Sequence, residues 1–511
     1  MSIPSFSLKT LAVAVASFSM ASVAGAAGLD RSGQDVTAFL QDGTYAEATY
    51  TYIDADVTGY DNAAVPNRDT PNNYKQGREI GDIAESYDFF RYGVKTDIND
   101  TFSVGVLYDE PFGAAAAYSG SNNFVSGDLN EINSMVSQLT NGKVTNVSQL
   151  PTVIRTIGIG AQQAAAAAQT AATAAATAQQ AGNVADAQKF AQQAQAYKEK
   201  AKELEKQAKD LAGLGAVAGG LADSQNEATQ VEVRSYNLTG LVGAKIGDNF
   251  QVYGGPALQR VEGEVALRGP AYQTAAGYTA RISPDNTLGW VAGVAFMKPE
   301  IGLKAALTYR SKIEHNNSID ESMPALDSLP EPVKTAAKRA VATNEAGKID
   351  ITTPESYNFD FQTGINRTTL ATAKIRYVPW GDFAIVPPMY NGASKLSYGK
   401  DGLPLVSYDK DQWQVELGLA KRLTPALAVS GTVGWDSGAG NPTTSLGPIE
   451  GYYSVGAGAK YNITPNWAIS AGGKYLMFGD SKGVVPTGQV VSNFEDNDGY
   501  AFGVKLSYQD K

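Results

Sequence analysis

The stretch DGYAFGVKLSY at residues 498–508 alternates between two kinds of side chain. Successive side chains of an extended chain point to opposite sides, so every second residue shares a face. One face holds Tyr500, Phe502, Val504, Leu506 and Tyr508, and the other holds Ala501, Gly503, Lys505 and Ser507. This alternation predicts a β-strand that presents one apolar face and one small or polar face.

Similar segments recur along the whole chain, for example TFSVGVLYD at 101–109. Fourteen segments are predicted strands: 43–57, 86–98, 101–112, 230–246, 249–267, 287–298, 300–314, 349–365, 368–381, 411–423, 426–437, 450–463, 466–479 and 498–509. The number is even, as in single-chain bacterial outer-membrane barrels. Alternation alone would also suit a soluble β-protein that buries one face.

The connections between these strands decide the fold. Tight turns rich in Asn, Asp, Gly and Pro fall at 98–101, 247–249, 298–300, 366–368, 423–425 and 463–466. The alternate connections are long, at 58–85, 113–229, 268–286, 315–348, 382–410, 438–449 and 480–497. Short periplasmic turns opposite long extracellular loops are typical of membrane barrels. The sequence therefore predicts an all-β fold, a 14-stranded antiparallel transmembrane β-barrel with a helical extracellular insert.

The N-terminus predicts export. Lys9 precedes an apolar stretch from Leu11 to Val23, and Ala24-Gly25-Ala26 has the small residues of a cleavage site. This order is typical of a Sec-type signal peptide. We expect residues 1–26 to be removed and the mature chain to lie in the outer membrane of a Gram-negative cell. Residues 27–42 would form a short hatch-like segment, and 43–511 the barrel.

Composition excludes several functional classes. The 511 residues contain no cysteine and one histidine, and the formal net charge is −11. Thiol chemistry is thereby excluded, and a lone histidine argues against a zinc site or a Ser-His-Asp triad. The acidic balance argues against nucleic-acid binding, which needs a basic patch. His315, within the polar stretch 314–317, is interpreted as a solvated loop residue, and we expect no cofactor, no metal and no enzymatic activity.

Residues 113–229 interrupt the strand pattern. Apolar residues in 128–159 recur at helical spacing, and Pro151 can begin a helix. Residues 160–212 are rich in Ala and Gln and then in Ala, Lys and Glu, with a break at Gly182-Asn183. We predict two antiparallel helices that end near 213–215. The Ala/Gln-rich part is interpreted as a spacer with no binding or catalytic role. The more apolar segments 128–159 and 213–221 are interpreted as an apolar extracellular surface.

Strand parity also predicts which charged residues face the lumen. The basic set is Arg91, Lys95, Lys245, Lys304, Arg310, Lys374, Arg376, Lys460, Lys474 and Lys505, and the acidic set is Glu47, Asp109, Asp360, Glu416 and Asp436. A mostly basic lumen would attract an anionic head group. The same residues would also serve as an internal salt-bridge network that stiffens the barrel. Lys304, Arg310, Lys374 and Arg376 are the candidates to meet a ligand carboxylate, and Arg310→Ala should weaken anionic ligand binding.

Several segments resemble the FadL family of outer-membrane long-chain fatty-acid and hydrocarbon transporters. The segment 289–315, with LTYRS at 307–311, is similar to a strand–turn–strand of that family. LYDEPFG at 107–113 resembles the exit of its third strand, and YTYIDADVTG at 50–59 resembles its first strand. The resemblance covers most of the barrel but not residues 160–212.

The resemblance implies a route for an amphipathic ligand. The ligand meets an apolar groove of extracellular loops, enters a lumen pocket, and leaves sideways into the membrane at a bend in the third strand. In this sequence Leu107 and Phe112 become candidate ligand contacts, and Pro111 with Gly113 marks the bend. Pro removes a ladder donor and Gly permits unusual dihedrals. In the alternative interpretation, Pro111 simply ends the strand at the rim.

One departure from the family concerns the hatch that plugs the lumen. The family's hatch is longer and carries an Asn-Pro-Ala element, which residues 27–42 lack. This difference leaves room for a reduced plug and a more open channel.

Taken together, these features predict transport of hydrophobic or amphipathic molecules, with long-chain fatty acids foremost. We expect a monomer in contact with outer-membrane lipid and lipopolysaccharide. A general porin for small anions and a surface adhesin that presents the helical insert are the alternatives.

Overall fold

The computed structural model describes residues 29–64, 70–327, 329, 333–341 and 347–510. The expected signal peptide, 1–26, lies outside the described residues, as do the first two residues of the expected hatch. None of the helices in the described part of the chain combines the length and the apolar character needed to cross a bilayer.

Fourteen antiparallel strands form the wall of a closed barrel, which confirms the predicted fold class. They are β1 (Thr44–Asp56), β2 (Tyr87–Asp97), β3 (Phe102–Asp109 and Gly113–Ala117), β4 (Gln230–Ile246), β5 (Phe250–Ala266), β6 (Thr279–Lys298), β7 (Leu303–Arg310 and Ile313–Ser322), β8 (Lys348–Thr353 and Ser356–Asn366), β9 (Thr369–Val378), β10 (Gln412–Arg422), β11 (Leu427–Asp436), β12 (Tyr452–Asn462), β13 (Trp467–Phe478) and β14 (Asp498–Asp510). Each strand pairs with the next along the chain, and β1 closes the barrel against β14 from Thr44↔Asp510 to Asp56↔Asp498.

The two faces of the wall are the reverse of those in a soluble protein. In β14 the outward side chains of Val504 and Leu506 are 47% and 43% exposed, whereas Lys505 and Ser507 are 4% and 3% exposed. Apolar side chains on the outside and polar ones in the lumen are what a lipid-embedded barrel requires. The alternation seen in residues 498–508 therefore records membrane on one side and lumen on the other.

The short turns owe their geometry to local side-chain hydrogen bonds. The Asn99 side-chain oxygen accepts from the backbone N–H groups of Thr101 and Phe102 at 2.9 and 2.8 Å. The hydroxyls of Thr424 and Thr464 accept in the same way from the backbone of Leu427 and Trp467, both at 3.0 Å. Such caps fix the hairpin register without tertiary contacts, and this is why these turns are readable from sequence.

An aromatic belt marks the outer edge of the lipid-facing band. Neighbouring ring centroids in it lie 4.7–6.0 Å apart across five adjacent strands, in the order Trp290, Tyr309, Tyr357, Tyr377 and Trp413. Amphipathic rings are enriched at this depth because one end is apolar and the other is wet.

The wall continues outward beyond this belt, and His315 lies in that extension. The expectation that His315 is a solvated loop residue is wrong. It belongs to β7, is 1% exposed, and places Nδ1 3.1 Å from Asp285 Oδ2 and Nε2 3.1 Å from Gln259 Oε1. The strand persists through this polar stretch because its inward side chains find polar partners on neighbouring strands.

The helical insert consists of α1 (Leu129–Leu139), α2 (Leu150–Gln180) and α3 (Val184–Asp223). The break between α2 and α3 falls at the predicted Gly182-Asn183, where Asn183 caps α3 by accepting from the Asp186 N–H. The expected end near residues 213–215 is wrong, because α3 continues through the glycines. A Cβ at Gly215 would lie 3.4 Å from Ile154 Cδ1, and one at Gly220 would overlap the Ala276 carbonyl. Close packing against α2 and a neighbouring loop thus outweighs weak helix propensity.

The remaining loops cover the extracellular mouth. They contain the helices α4 (Pro324–Asp327), α5 (Val333–Val341) and α6 (Pro388–Tyr398) and a five-stranded sheet of Gly59–Asn62, Gln76–Ile80, Thr443–Thr444, Ser481–Val484 and Val490–Phe494. Short strands Ala384–Ile385 and Val406–Ser407 form a separate pair. Their shared core includes Phe124, Trp380 and Phe494, each no more than 1% exposed. These residues form an apolar core among the extracellular loops.

Candidate functional site

The third strand is interrupted at residues 110–112. Below the break Asp109 pairs with Asn237, and above it Gly113 pairs with Arg234, so three residues of β3 face two of β4. This is a β-bulge, and Pro111 at its centre has no N–H to give to a ladder.

The Ser235 side chain replaces the ladder at the bulge. Its hydroxyl accepts from the Phe112 N–H at 2.8 Å and donates to the Phe112 carbonyl at 2.7 Å. The bulge is therefore satisfied on its β4 side.

On its other side the bulge opens the seam between β2 and β3. Their register runs from Asp97↔Ser103 to Tyr92↔Tyr108 and stops there, while β2 continues up to Tyr87 in register with β1. The next backbone pairing is the single bridge Ala84↔Ala116, and between the two the Tyr87 hydroxyl donates to Glu110 at 2.9 Å. We call the stretch between residues 87–91 of β2 and 109–113 of β3 the side gap.

The segment before β1 closes the side gap from within. We call residues 29–42 the hatch, and most of its side chains are buried inside the barrel. The Arg31 N–H donates to the Pro111 carbonyl at 2.7 Å, and the Gly113 N–H donates to the Leu29 carbonyl at 2.7 Å. The hatch thus supplies the backbone partners that β2 does not.

Ion pairs hold the hatch to the opposite wall. Arg376 on β9 donates to both carboxylate oxygens of Asp30, at 2.5 and 3.1 Å, and Lys374 donates to Asp35 at 2.6 Å. Lys304 on β7 donates to the Leu40 carbonyl. These contacts are charge-assisted and mostly buried, so they fix the position of the hatch.

The lower half of the hatch has its own apolar core. Phe39 is fully buried and lies 5.8 Å, ring to ring, from Tyr253 on β5. Val36, Leu40 and Leu107 belong to the same cluster. A straight path through this part of the lumen is therefore occupied by packed side chains.

An apolar cavity of about 90 Å³ borders the side gap. The β3 segment Gly113–Ala116 forms one wall, and the other lining side chains include Leu29, Ile83, Val231, Val233, Val265 and Leu446. A single water needs roughly 10–15 Å³ by this measure, so the cavity has room for several waters or a stretch of hydrocarbon. Its lining favours the hydrocarbon.

Two polar cavities lie on the other side of the hatch. They measure about 80 and 30 Å³ and share Asp360, Lys374 and Glu416 in their linings. Lys374 lies 3.4 Å from Asp360, and Lys474 donates to Glu416. The cations named here are thus already paired with carboxylates of the chain.

Comparison with known proteins agrees with this geometry. Residues 219–509 match the family model described as outer membrane protein transport protein (OMPP1/FadL/TodX). This chain belongs to that family. No curated protein sequence matches it at a significant level. The family is one of outer-membrane transporters of hydrophobic molecules rather than enzymes, so the predicted class of function is confirmed at that level.

Two solved structures are similar to this chain. A Pseudomonas aeruginosa FadL homologue is 13% identical, with 91% of this chain and 90% of that chain covered and a TM-score of 0.55. The Pseudomonas putida toluene transporter TodX is 9% identical, with 96% of each chain covered and a TM-score of 0.48. At this identity the first likeness establishes the fold alone.

In this FadL-family chain, Arg31 of the hatch differs from Lys374 and Arg376, which are paired with carboxylates of the hatch. The residue is 1% exposed, and its guanidinium carbon lies 3.3 Å from the centre of the Tyr87 ring. Among the described residues, Nε and Nη1 have no hydrogen-bond partner. Burial lowers the pKa of the guanidinium from its ordinary value. Arg31 lines the apolar cavity and stands beside Gly113, where a Cβ would overlap the guanidinium.

The predicted site residues are spread over four environments. Lys304, Lys374 and Arg376 line the polar cavities and contact the hatch. Arg310 is 4% exposed and donates from Nη1 to the Thr239 hydroxyl at 3.2 Å, while its Nε has no hydrogen-bond partner among the described residues. Leu107 lies in the hatch core.

The residues around the bulge occupy the fourth environment. Phe112 packs edge-on against Trp380, with ring centroids 5.6 Å apart at 83°, and Gly113 lines the apolar cavity. The roles assigned to all these residues in ligand binding stay predictions.

Sequence reasoning missed Arg31, because strand parity says nothing about a segment that is not a strand. One signal was present. Arg31 is the sole basic residue between Ala27 and Asp42, and it stands among small and polar neighbours.

Proposed function

We propose that this chain carries long-chain fatty acids or similar hydrophobic molecules from the extracellular side into the outer membrane. The ligand would enter the apolar cavity and leave sideways through the side gap. The observation that carries this proposal is the position of an apolar cavity against an unpaired seam of the wall.

The chemistry of the cavity supports a hydrophobic cargo. Its β3 wall, Gly113–Ala116, bears only small side chains, and the opposite side chains are branched aliphatics. Transfer of apolar surface from water to such a lining gains about 25 cal/mol per Å². A polar solute would gain nothing comparable and would lose its hydration.

The outer surface beside the side gap supports release into lipid. Phe90 and Tyr92 on β2 point outward and are 43% and 46% exposed. A molecule that passes the gap at this height would meet hydrocarbon rather than water. The packed hatch core below makes the straight route to the periplasm the less direct one.

The extracellular insert offers a first contact for the cargo. Leu129, Leu139 and Ile159 are 41%, 65% and 49% exposed. Exposed apolar side chains on an extracellular surface suit capture of a greasy molecule.

Uptake by cells tests the proposal. Cells that lack the protein should take up radiolabelled oleate more slowly than cells that express it, whereas uptake of a small hydrophilic anion should not differ. Equal oleate uptake by both strains would remove fatty acids as the cargo. The same comparison with toluene then tests a neutral hydrocarbon.

A general porin is the second candidate, and the polar cavities beside the hatch are what favours it. Planar-bilayer recordings test it directly. A stable anion current through the wild-type chain would support the porin, and a quiet bilayer supports the hydrophobic route.

A further inference from the structure

We propose that the outer face of the wall just above the lipid-facing band, on β4, β5 and β7, binds the phosphates of lipopolysaccharide in the outer leaflet. This inference goes beyond transport, because it concerns the lipid that surrounds the barrel. We call this surface the phosphate face. It consists of three basic residues and three glutamates, namely Arg234, Arg260, Lys312, Glu232, Glu262 and Glu314.

The charges of the phosphate face are layered by depth. Each of the three strands carries one outward cation and, two residues farther from the membrane, one glutamate that binds it. The N···O distances of the pairs are 2.6 Å for Arg234–Glu232, 2.9 Å for Arg260–Glu262 and 2.9 Å for Lys312–Glu314. The glutamate precedes the cation in β4 and follows it in β5 and β7, which run in the opposite direction. The order is therefore set by depth and not by a sequence repeat.

The basic row lies at the depth of lipid head groups. On each strand the cation follows the last outward apolar or aromatic side chain by two or three residues, as Arg260 follows Leu258, which is 41% exposed. This separation is about 7–10 Å along a tilted strand. The head-group layer adds about 5–8 Å to each side of the hydrocarbon. The cations therefore reach the phosphates, and the glutamates lie at the outer edge of that layer.

The ion pairs within the phosphate face leave its cations available to a ligand. The six side chains are between 27% and 69% exposed. Exposed ion pairs contribute little to stability, because water and salt screen them. A phosphate can therefore share or replace the glutamate at little cost. The glutamates can in turn bind divalent cations, since carboxylate oxygens are ligands that Mg²⁺ and Ca²⁺ prefer.

Other parts of the wall carry carboxylates at the outer end of the lipid-facing band. Tyrosine hydroxyls on β9, β13 and β14 donate to them at 2.6–2.7 Å, in the pairs Tyr377 with Asp411, Tyr475 with Asp498 and Tyr500 with Asp54. A carboxylate repels a phosphate, whereas a basic cluster attracts it. This difference favours an anionic partner on β4, β5 and β7.

Lipopolysaccharide is the partner whose chemistry matches this layering. It forms the outer leaflet of a Gram-negative outer membrane, and its lipid A carries phosphates that Mg²⁺ or Ca²⁺ bridges. A row of cations below a row of carboxylates offers one layer to the phosphates and one to the bridging metal ions. A zwitterionic phospholipid brings its own cation to the basic row and would gain less.

Binding of diphosphoryl lipid A to the full mature chain, in an uncharged detergent with millimolar Mg²⁺, tests the proposal. We expect the triple variant Arg234→Gln, Arg260→Gln and Lys312→Gln to weaken binding by roughly a hundredfold, the combined effect of three cations near an anionic surface. Binding of lipid A without its phosphates should change by less than about twofold on the same scale. Heat-modifiable migration on gels establishes that each variant is a folded barrel.

Arg281→Gln is the matched control for Arg260→Gln. Arg281 on β6 is also an outward arginine with a glutamate partner, 3.2 Å from Glu264, and its side chain is 68% exposed. It lies seven residues beyond the outward Leu288, about 23 Å along the strand and thus above the head-group layer. We expect Arg260→Gln alone to weaken lipid A binding about fivefold and Arg281→Gln to change it by less than about twofold.

The acidic row is tested by the triple variant Glu232→Gln, Glu262→Gln and Glu314→Gln. It should bind lipid A at least as well as the wild-type chain in EDTA, and it should lose the gain in affinity that Mg²⁺ gives the wild-type chain. If Mg²⁺ raises both affinities equally, the glutamates have no part in the site.

Two results would overturn the phosphate face as a whole. One is wild-type lipid A affinity in the basic triple variant, and the other is an equal loss in Arg281→Gln and Arg260→Gln. None of these six described residues lines the three cavities beside the hatch, so either result would leave the transport proposal unaffected.

Discussion

The two sides of the hatch treat buried positive charge differently. On the side of β8–β10, Arg376 and Lys374 are bound by Asp30 and Asp35 of the hatch. On the side of β3, Arg31 faces an apolar cavity with two nitrogens unpartnered among the described residues. Asp30 and Arg31 are consecutive residues, so the paired and the unpaired environment lie on opposite sides of the same short segment.

The sequence assigns the basic lumen residues two roles, attraction of a ligand and internal salt bridges, and this contrast separates them. Paired cations hold the plug in place, because removal of either partner leaves the other buried and unpaired. An unpaired cation beside a cavity is available to a ligand. The feature that distinguishes the two is the presence of a counter-ion within the chain and not the sign of the lumen charge.

The largest expected effect comes from breaking the paired side. Asp30→Asn leaves Arg376 without its main counter-ion, and loss of one partner of a buried ion pair costs about 3–5 kcal/mol. We expect the free energy of urea-induced unfolding in lipid vesicles to fall by that order. We also expect stable ion conductance to appear in planar bilayers as the hatch loosens.

The double variant Asp30→Asn with Arg376→Met is the control for this prediction. Removing both charges should restore most of the lost stability, because no unpaired charge then remains. Unaltered stability and conductance in the single variant would show that the ion pair does not hold the hatch.

A second substitution fills part of the apolar cavity beside β3. Gly113→Val places a branched side chain against Arg31 at the side gap. The added side chain would fill space beside the side gap, so we expect toluene uptake by cells to fall by about tenfold, as for a passage barrier raised by about 1.4 kcal/mol. Gly240→Val on β4 is the control, since a Cβ there has its nearest contact 4.0 Å away at Pro256. Equal uptake by the two variants would argue against passage beside Gly113.

A third substitution tests whether Arg310 has a structural role in the wall or contacts the ligand. Arg310 donates to Thr239 and is absent from the linings of the apolar cavity and of the two polar cavities beside the hatch. We therefore expect Arg310→Ala to change dodecanoate affinity by less than about twofold, as measured by titration of the purified chain. A tenfold loss would restore Arg310 as a ligand contact and weaken the contrast between the two sides.

The smallest effect is expected outside the lumen. Deletion of residues 161–203 with a short Gly-Ser linker removes the outer part of the α2–α3 hairpin at a level where the helices meet, since Gly160 lies next to Leu204. Oleate uptake should stay within about twofold of wild type, because none of the three cavities beside the hatch is lined by these residues. A strong loss of uptake in a folded variant would assign the hairpin a part in capture.

The barrel was predictable because its signals are local. Alternation within each strand and the Asn, Thr and Pro of each short turn act over a few residues, and the structure confirms the fourteen strands. His315 was misjudged because a polar stretch such as 314–317 is ambiguous until the neighbouring strands are in place. The course of α3 past Gly213 depends likewise on packing against α2.

The position of the hatch could not be predicted from such local patterns. Its position is set by contacts such as Arg376 to Asp30, which join residues 346 apart in the chain. No periodic pattern in residues 29–42 indicates which side chain meets a counter-ion and which meets a cavity. The site residues proposed from parity were restricted to strands, and Arg31 was outside that set.

The bulge in β3 also changes which residues of that strand face the lumen. The side chains of a strand alternate between the inside and the outside of the barrel. Because of the extra residue at 110–112, even-numbered residues instead of odd-numbered ones face inward in the rest of β3. Below the bulge Leu107 and Asp109 are buried inward, whereas above it Ala114 and Ala116 pair with the cavity-lining Val233 and Val231. Loss of a single codon there would restore strict alternation along β3 and keep both alanines opposite Val233 and Val231, with the ladder to β4 continuous past residue 109. Whether this wall has a side opening therefore depends on one residue in the length of the chain and not on the chemistry of any particular side chain.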